Sequence, residues 1–181
     1  MTYAELKSSI QDYLQNTETT FVADLPTIIQ QAEERILKLV RLPVFRKNVQ
    51  GNLTTGNQYL GTPSDFMDTF SIATITSDTY NYLIRTDVSF IREAYPTTTT
   101  TGAPKHYSLF DNNTFIVGPT PNADYTAELH YFYKPASITA GAESGTTWLA
   151  TNATNVLLYG CLVEGYTYMK GEADLMNLYN Q

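Results

Sequence analysis

Ile36-Leu37-Lys38-Leu39-Val40-Arg41-Leu42-Pro43-Val44-Phe45-Arg46-Lys47-Asn48-Val49 is the stretch where the chain changes period. Before it, Ile28, Ala32, Ile36, Leu39 and Val40 recur three and four residues apart, the spacing of one buried helix face. Pro43 closes that helix, because proline lacks the N–H and its ring crowds the preceding turn. From Val44 the alternation has period two, and residues 45–53 read as a strand. The boundary divides the chain into a helical hairpin over 1–43, a β-rich domain with one short helix over 44–150, and C-terminal helices over 151–181 that pack on the N-terminal bundle. Helices segregated from antiparallel strands make the fold class α+β.

Upstream, Thr2 and Glu5 form a capping box, and Leu6, Ile10, Tyr13 and Leu14 share one helical face. That helix is expected to stop near Asn16. Asp24 reads as the cap of the second helix, with Pro26 in its first turn. Downstream, Thr55-Gly56-Asn57 is a turn and Tyr59-Leu60 a short strand. Residues 70–75 and 80–84 form a hairpin about Ser77-Asp78. Asp87 caps a short helix over 88–95. Five threonines at 97–101 are expected to form a mobile loop. Residues 106–110 and 114–117 make the clearest hairpin. Residues 125–133 alternate, with Tyr125, Ala127, Leu129, Tyr131 and Tyr133 on one face. Asn152 reads as the cap of a helix whose apolar positions are Val156, Leu157, Cys161, Leu162 and Met169. Gly160 and Gly165 on that helix point to a tight helix–helix contact. Gly171 breaks it, and a further helix begins at Ala173.

Composition narrows the function. Hydrophobic residues make up 43% of the 181 residues, but charged residues only 16%, below the usual quarter. In their place stand Thr, Asn, Ser and 14 Tyr. Tyrosine offers rigid area with a polar tip, which suits a surface that will be covered; it also favours strands. A net charge of −7 argues against a dedicated nucleic-acid binder. The single Cys161 allows no internal disulfide. Met1-Thr2-Tyr3-Ala4-Glu5 begins with a helix cap and no basic apolar leader, and no apolar run reaches membrane-spanning length, so the product is expected to act in a cytoplasm without a membrane partner.

The catalytic inventory is thin, and the chain reads as no enzyme, with no cofactor and no metal. His106 and His130 sit on strands and could be neighbours, with Glu128 as the one further ligand candidate. Asp65 and Asp68 could pair as acid and base but lie where Asp is common for turn reasons. Gly141-Ala142-Glu143-Ser144-Gly145 lacks the lysine of a phosphate loop. Charge is more informative. Residues 33–47 hold five bases, Arg35, Lys38, Arg41, Arg46 and Lys47, against Glu33 and Glu34. The first 32 residues hold four acids and one base, and residues 102–181 seven acids and three bases. A basic face on one copy can then meet an acidic face on the next, the heterologous contact that closes rings. The five bases, with Leu175, Leu178 and Tyr179 on one side of the last helix, are the candidate interface residues.

Leu42-Pro43-Val44-Phe45-Arg46-Lys47-Asn48-Val49, following Ala32-Glu33-Glu34-Arg35-Ile36, resembles the head-to-tail adaptor, or connector, proteins of tailed bacteriophages. So do Pro63-Ser64-Asp65-Phe66, Phe90-Ile91-Arg92-Glu93-Ala94-Tyr95, Pro104-Lys105-His106-Tyr107, Gly118-Pro119-Thr120-Pro121, Tyr131-Phe132-Tyr133-Lys134-Pro135 and Thr147-Trp148-Leu149, in order along nearly the whole chain. The resemblance implies a helical bundle joined to a β-domain and a twelve-subunit ring beneath the portal protein. Such a ring sits in the neck of the virion, extends the DNA channel and offers a platform to a downstream tail or nozzle protein. Genomic DNA would pass through without sequence-specific binding, and an acidic lumen would let it slide. The family grips the portal with a C-terminal segment, and here a long arm is expected to be short or absent. The alternatives are another tail-completion protein, or a carbohydrate- or ligand-binding β-module with Trp148 and tyrosines as its platform.

Overall fold

A computed structural model of the chain describes residues 1–169. Its elements are α1 (Tyr3–Leu14), α2 (Thr19–Leu39), β1 (Arg46–Leu53), β2 (Tyr59–Gly61), β3 (Phe66–Thr76), β4 (Thr79–Tyr82), β5 (Ile84–Arg85), α3 (Val88–Ala94), β6 (Thr101–Gly102), β7 (His106–Asp111), β8 (Thr114–Gly118), β9 (Thr120–Pro121), β10 (Tyr125–Tyr133), α4 (Trp148–Asn152) and α5 (Thr154–Tyr168). The fold is α+β. The chain divides into two compact units, one formed by residues 1–41 with the chain from Ala136 onward, the other by Leu42–Pro135.

In the helical unit, Thr2 and Glu5 make the reciprocal capping box that starts α1. α5 packs against both α1 and α2. Leu6, Ile10, Phe21, Leu25, Ile29, Leu157, Cys161 and Leu162 are all at most 1% exposed and form the interior. Gly165 explains the close approach of α5 to α1, while Gly160 sits at ordinary contact distance from α2. A Cβ on Gly165 would lie 2.6 Å from Leu14 Cδ1, and one on Gly160 would lie 3.4 Å from Ile36 Cδ1.

Five expectations for these helices need correction. α2 begins at Thr19, so Asp24 and Pro26 lie inside it and cap nothing. Burial of Phe21 and Leu25 against the other helices outweighs the backbone hydrogen bond that Pro26 removes. The buried face of α2 runs through Phe21, Leu25, Ile28, Ile29, Ala32, Glu33 and Leu37, while Leu39 is 77% exposed and Val40 also faces solvent. The helix ends at Leu39, before Pro43, so neither residue has a turn to pack beneath. Asn152 ends α4, and Ala153 stands at the N-cap of α5. Val156 is exposed, because α5 directs Leu157, Cys161 and Leu162 inward. Tyr13 also points outward from α1. Gly171, the helix expected from Ala173, and Leu175, Leu178 and Tyr179 lie outside the described residues.

The β unit contains two four-stranded sheets, β1-β10-β3-β4 and β2-β8-β7-β5, with a small parallel pair of β6 and β9. The core between the two sheets holds Leu53, Ile72, Leu83, Tyr107, Phe115, Val117, Ala127, Leu129 and Tyr131. Residues 127, 129 and 131 come from one face of β10, as the period-two pattern predicts. Phe66 meets Phe115 edge-on with ring centroids 5.3 Å apart. α3 lies against β7 and β8. A Cβ on Gly118 would come within 2.5 Å of the Tyr95 ring, so glycine is what lets β8 pass beneath Tyr95. The Gly118–Pro119 peptide is cis. The threonine run ends in a strand: Thr101 pairs with Thr120, and Thr97 and Thr100 share a 2.7 Å hydroxyl hydrogen bond. The backbone after the run finds partners on β9, which a reading of the apolar pattern alone does not register.

Candidate functional site

The five bases of residues 33–47 are divided between the two units. Arg35, Lys38 and Arg41 belong to the helical unit, and Arg46 and Lys47 to the β unit. On α2, Arg35 bridges Glu164 of α5 at 2.9 Å and Lys38 bridges Glu34 at 3.4 Å. Both keep much of their side chains in solvent, at 48% and 67%. Arg41 donates to the Leu37 carbonyl at 3.4 Å and so neutralises the C-terminal turn of the helix. Glu33, one of the two acids in this stretch, is buried and accepts from the Ile138 N–H at 3.1 Å. The thiol of Cys161 sits in the same unit, where burial, and after it Glu33 and Glu164, push its pKa up; it is an inert core residue.

Arg46 and Lys47 are held within the β unit. The Arg46 guanidinium lies 4.0 Å from the Phe70 ring centroid and 5.0 Å from that of Phe132. Such stacking replaces part of the water an arginine would otherwise need. A bulge between β3 and β10 turns Phe70 to the outer face of the sheet, where it also meets His130. Lys47 reaches Asp65 at 2.6 Å and lies 4.2 Å from the Tyr133 ring. The Tyr131 hydroxyl donates to the other Asp65 oxygen at 2.7 Å. Partial burial by itself would raise the Asp65 pKa, but the Lys47 and Tyr131 hydrogen bonds outweigh it, and the carboxyl lies below its usual range. Burial, and after it Asp65, push the Tyr131 hydroxyl up to about 12. This cluster ties β1, β10 and the turn before β3 together.

The acid–base pairing considered for Asp65 and Asp68 is not formed. Asp65 holds Lys47 and Tyr131, while Asp68 holds Arg85 at 3.4 Å and the Thr69 N–H. The two histidines are not neighbours either. His130 lies on β10 of the first sheet against Phe70. His106 lies on β7 of the second, where its Nδ1 shares a 2.9 Å hydrogen bond with the Tyr95 hydroxyl. Among the described residues no three His, Cys, Asp or Glu side chains gather as a metal site. A cleft of about 320 Å³ in the β unit is lined by Gln58, Tyr59, Ile91, Arg92, Tyr95 and Ile116, with Pro96 and Thr98 at its side. Arg92 is the one charged side chain there, and it also lies 5.3 Å from the Phe110 ring. Trp148 stands in the helical unit, whereas the stacked Tyr80 and Tyr82 stand in the β unit.

What the described surface offers is aromatic and amide area. Phe70, Tyr80 and Tyr82 are 50%, 47% and 67% exposed on the outer face of the first sheet. The tyrosine count of the sequence foreshadows this face, but only the strand register brings its members together. No helix among the described residues is long and apolar enough to cross a membrane. None of the curated proteins matches the chain. The model of the SU10 adaptor protein family matches residues 1–181. Because that match takes in both units from end to end, the chain belongs to the SU10 adaptor protein family, in keeping with the phage head-to-tail adaptors that its motifs resemble.

Proposed function

We propose that this protein is a structural subunit of the virion neck, which assembles with copies of itself into a twelve-fold ring beneath the portal. The ring extends the DNA channel and anchors a downstream tail or nozzle protein. Membership of an adaptor family carries the first part of this reading, since an adaptor associates with other phage structural proteins. The binding surface supports the rest. It displays large tyrosines and a solvated basic side of α2, with the ionisable groups of the β unit dispersed or committed to one another.

In this reading Arg35, Lys38 and Arg41 face an acidic surface of a neighbouring copy or the portal. Arg46 and Lys47 act mainly by fixing the sheet that meets the neighbour. Leu175, Leu178 and Tyr179 supply apolar contact to the portal. DNA passes through without base-specific contacts, and neither chemistry nor cofactor is required. The test is the native mass of the full chain, alone and mixed with portal protein. A ring, or a complex of ring and portal, is expected. A chain that stays monomeric in both conditions overturns the reading.

A further inference from the structure

The first sheet of the β unit is open on both sides. In the order β1-β10-β3-β4, the outer strands β1 and β4 each have one neighbour among the described residues. A free edge presents unpaired N–H and C=O groups, and proteins commonly guard one with lysine, proline or a bulge. Asn48-Val49-Gln50-Gly51-Asn52 on β1 and Thr79-Tyr80-Asn81-Tyr82 on β4 carry no charge and no proline, and all nine residues are exposed.

The phase of the hydrogen bonds follows from the turn. Ser77 and Asp78 both have positive φ, which makes Thr76-Ser77-Asp78-Thr79 a two-residue hairpin turn with Thr76 and Thr79 a bonded pair. The Leu83 N–H donates to the Ile72 carbonyl at 2.9 Å, in the same phase. Thr79, Asn81 and Leu83 therefore aim their backbone groups at β3, and Tyr80 and Tyr82 aim theirs outward. Carried across the ladder, Ala73 bonds Glu128, Ile75 bonds Thr126, and Ala127 and Leu129 bond Gly51 and Val49. Asn48, Gln50 and Asn52 then point outward from β1.

Direction fits as well. Three antiparallel pairings separate β1 from β4, so the two edges run in opposite senses. A second copy set beside the first by rotation alone brings β1 antiparallel to β4. With the strands level, Tyr82 stands opposite Gln50 of the next copy and Tyr80 opposite its Asn52, each a position with outward backbone groups. All four side chains share the outer face, where the Tyr80 and Tyr82 rings stack at 6.4 Å.

We infer that β4 of each copy pairs with β1 of the next, so that one antiparallel sheet runs from subunit to subunit. The occupant of each edge is another copy of this chain. This rests on the ring reading above and assigns its junction. The contact is heterologous, and it closes when the rotation per subunit divides a full turn.

The experiment compares the wild type with Q50K/Y82K and Q50K/Y82E, using native mass of the full chain with and without portal protein. Gln50 already faces Glu128, so a lysine there is compatible with the isolated sheet. Cooperative melting of each monomer checks folding. Like charges opposed across strands weaken each junction by about fivefold, an effect repeated around the ring. Q50K/Y82K is expected to lose the ring, and Q50K/Y82E to regain it. A ring in all three alike, or folded variants that both lack it, overturns the edge pairing and leaves the ring reading standing. Absence of a wild-type ring in both conditions overturns both.

Discussion

Asp65 shows how single residues hold the β unit together. Its two oxygens take Lys47 at 2.6 Å and Tyr131 at 2.7 Å, and its carbonyl accepts the Lys134 N–H at 2.8 Å. Its folded pKa lies below the unfolded value, so the cluster contributes fully above the unfolded pKa of about 3.9 and is lost as pH falls through the folded one. Urea unfolding of Asp65→Asn should show a smaller loss of stability than wild type between about pH 5 and pH 2. Equal acid slopes would show that the carboxylate is not coupled to folding. Tyr131→Phe removes one donor and should cost about 1 kcal/mol at neutral pH. A neutral substitution there would mean that water replaces the hydroxyl.

At the scale of elements, the helix contacts can be ranked. A Cβ at Gly160 meets Ile36 Cδ1 at 3.4 Å and Ala32 at 3.6 Å, ordinary contact. Gly160→Ala should therefore collect most of the helix-propensity gain, about 0.5–1 kcal/mol. At Gly165 the same methyl would overlap Leu14 Cδ1 at 2.6 Å, and Leu14 must turn away. Gly165→Ala should fall short of Gly160→Ala by about 1 kcal/mol in urea unfolding. The reverse order would mean that α1 yields freely to α5. Pro26 makes a second case. It lies in the eighth position of α2 and denies the Val22 carbonyl its partner, so Pro26→Ala should stabilise by about 1–2 kcal/mol. A loss of stability would show the proline to be favoured for limiting the unfolded chain.

The same elements show what the sequence discloses. The capping box at Thr2 and Glu5, the change of period near Pro43 and the alternation over residues 125–133 are local signals, and the elements follow them. The start of α2 is not a local matter. Asp24 and Pro26 are good opening residues by chemistry, but Phe21 buries itself on the far side of them, and tertiary packing extends the helix. The burial of Glu33 has a related cause: its partner, the Ile138 N–H, lies 105 residues away. The candidate interface is partly legible. The basic residues and tyrosines can be counted, but their division between two units depends on Arg41 and Leu42 falling on opposite sides of a boundary. The free edges of the first sheet depend on strand order, which the residues of β1 and β4 do not encode by themselves.

For the whole molecule, two electrostatic effects would oppose each other during assembly of the proposed ring. Copies with a net charge of −7 repel one another, and the repulsion is felt over a Debye length of about 30 Å at 0.01 M salt and about 8 Å at 0.15 M. In the proposed ring the basic side of α2 would work the other way, drawing Arg35 and Lys38 toward acids on a neighbour. Those side chains are largely solvated and already paired within their own unit, and exposed pairs contribute only about 0–1 kcal/mol. The edge residues Gln50, Asn52, Tyr80 and Tyr82 are uncharged and lose nothing to screening. Repulsion should therefore dominate the salt response. At fixed protein concentration, the ring fraction measured by light scattering should rise as salt increases from about 0.01 M to about 0.15 M. A fall over that range would place the greater share of the junction energy on contacts between the basic side of α2 and acids of the next subunit, and charge reversal at Arg35 and Lys38 would then remove the salt dependence.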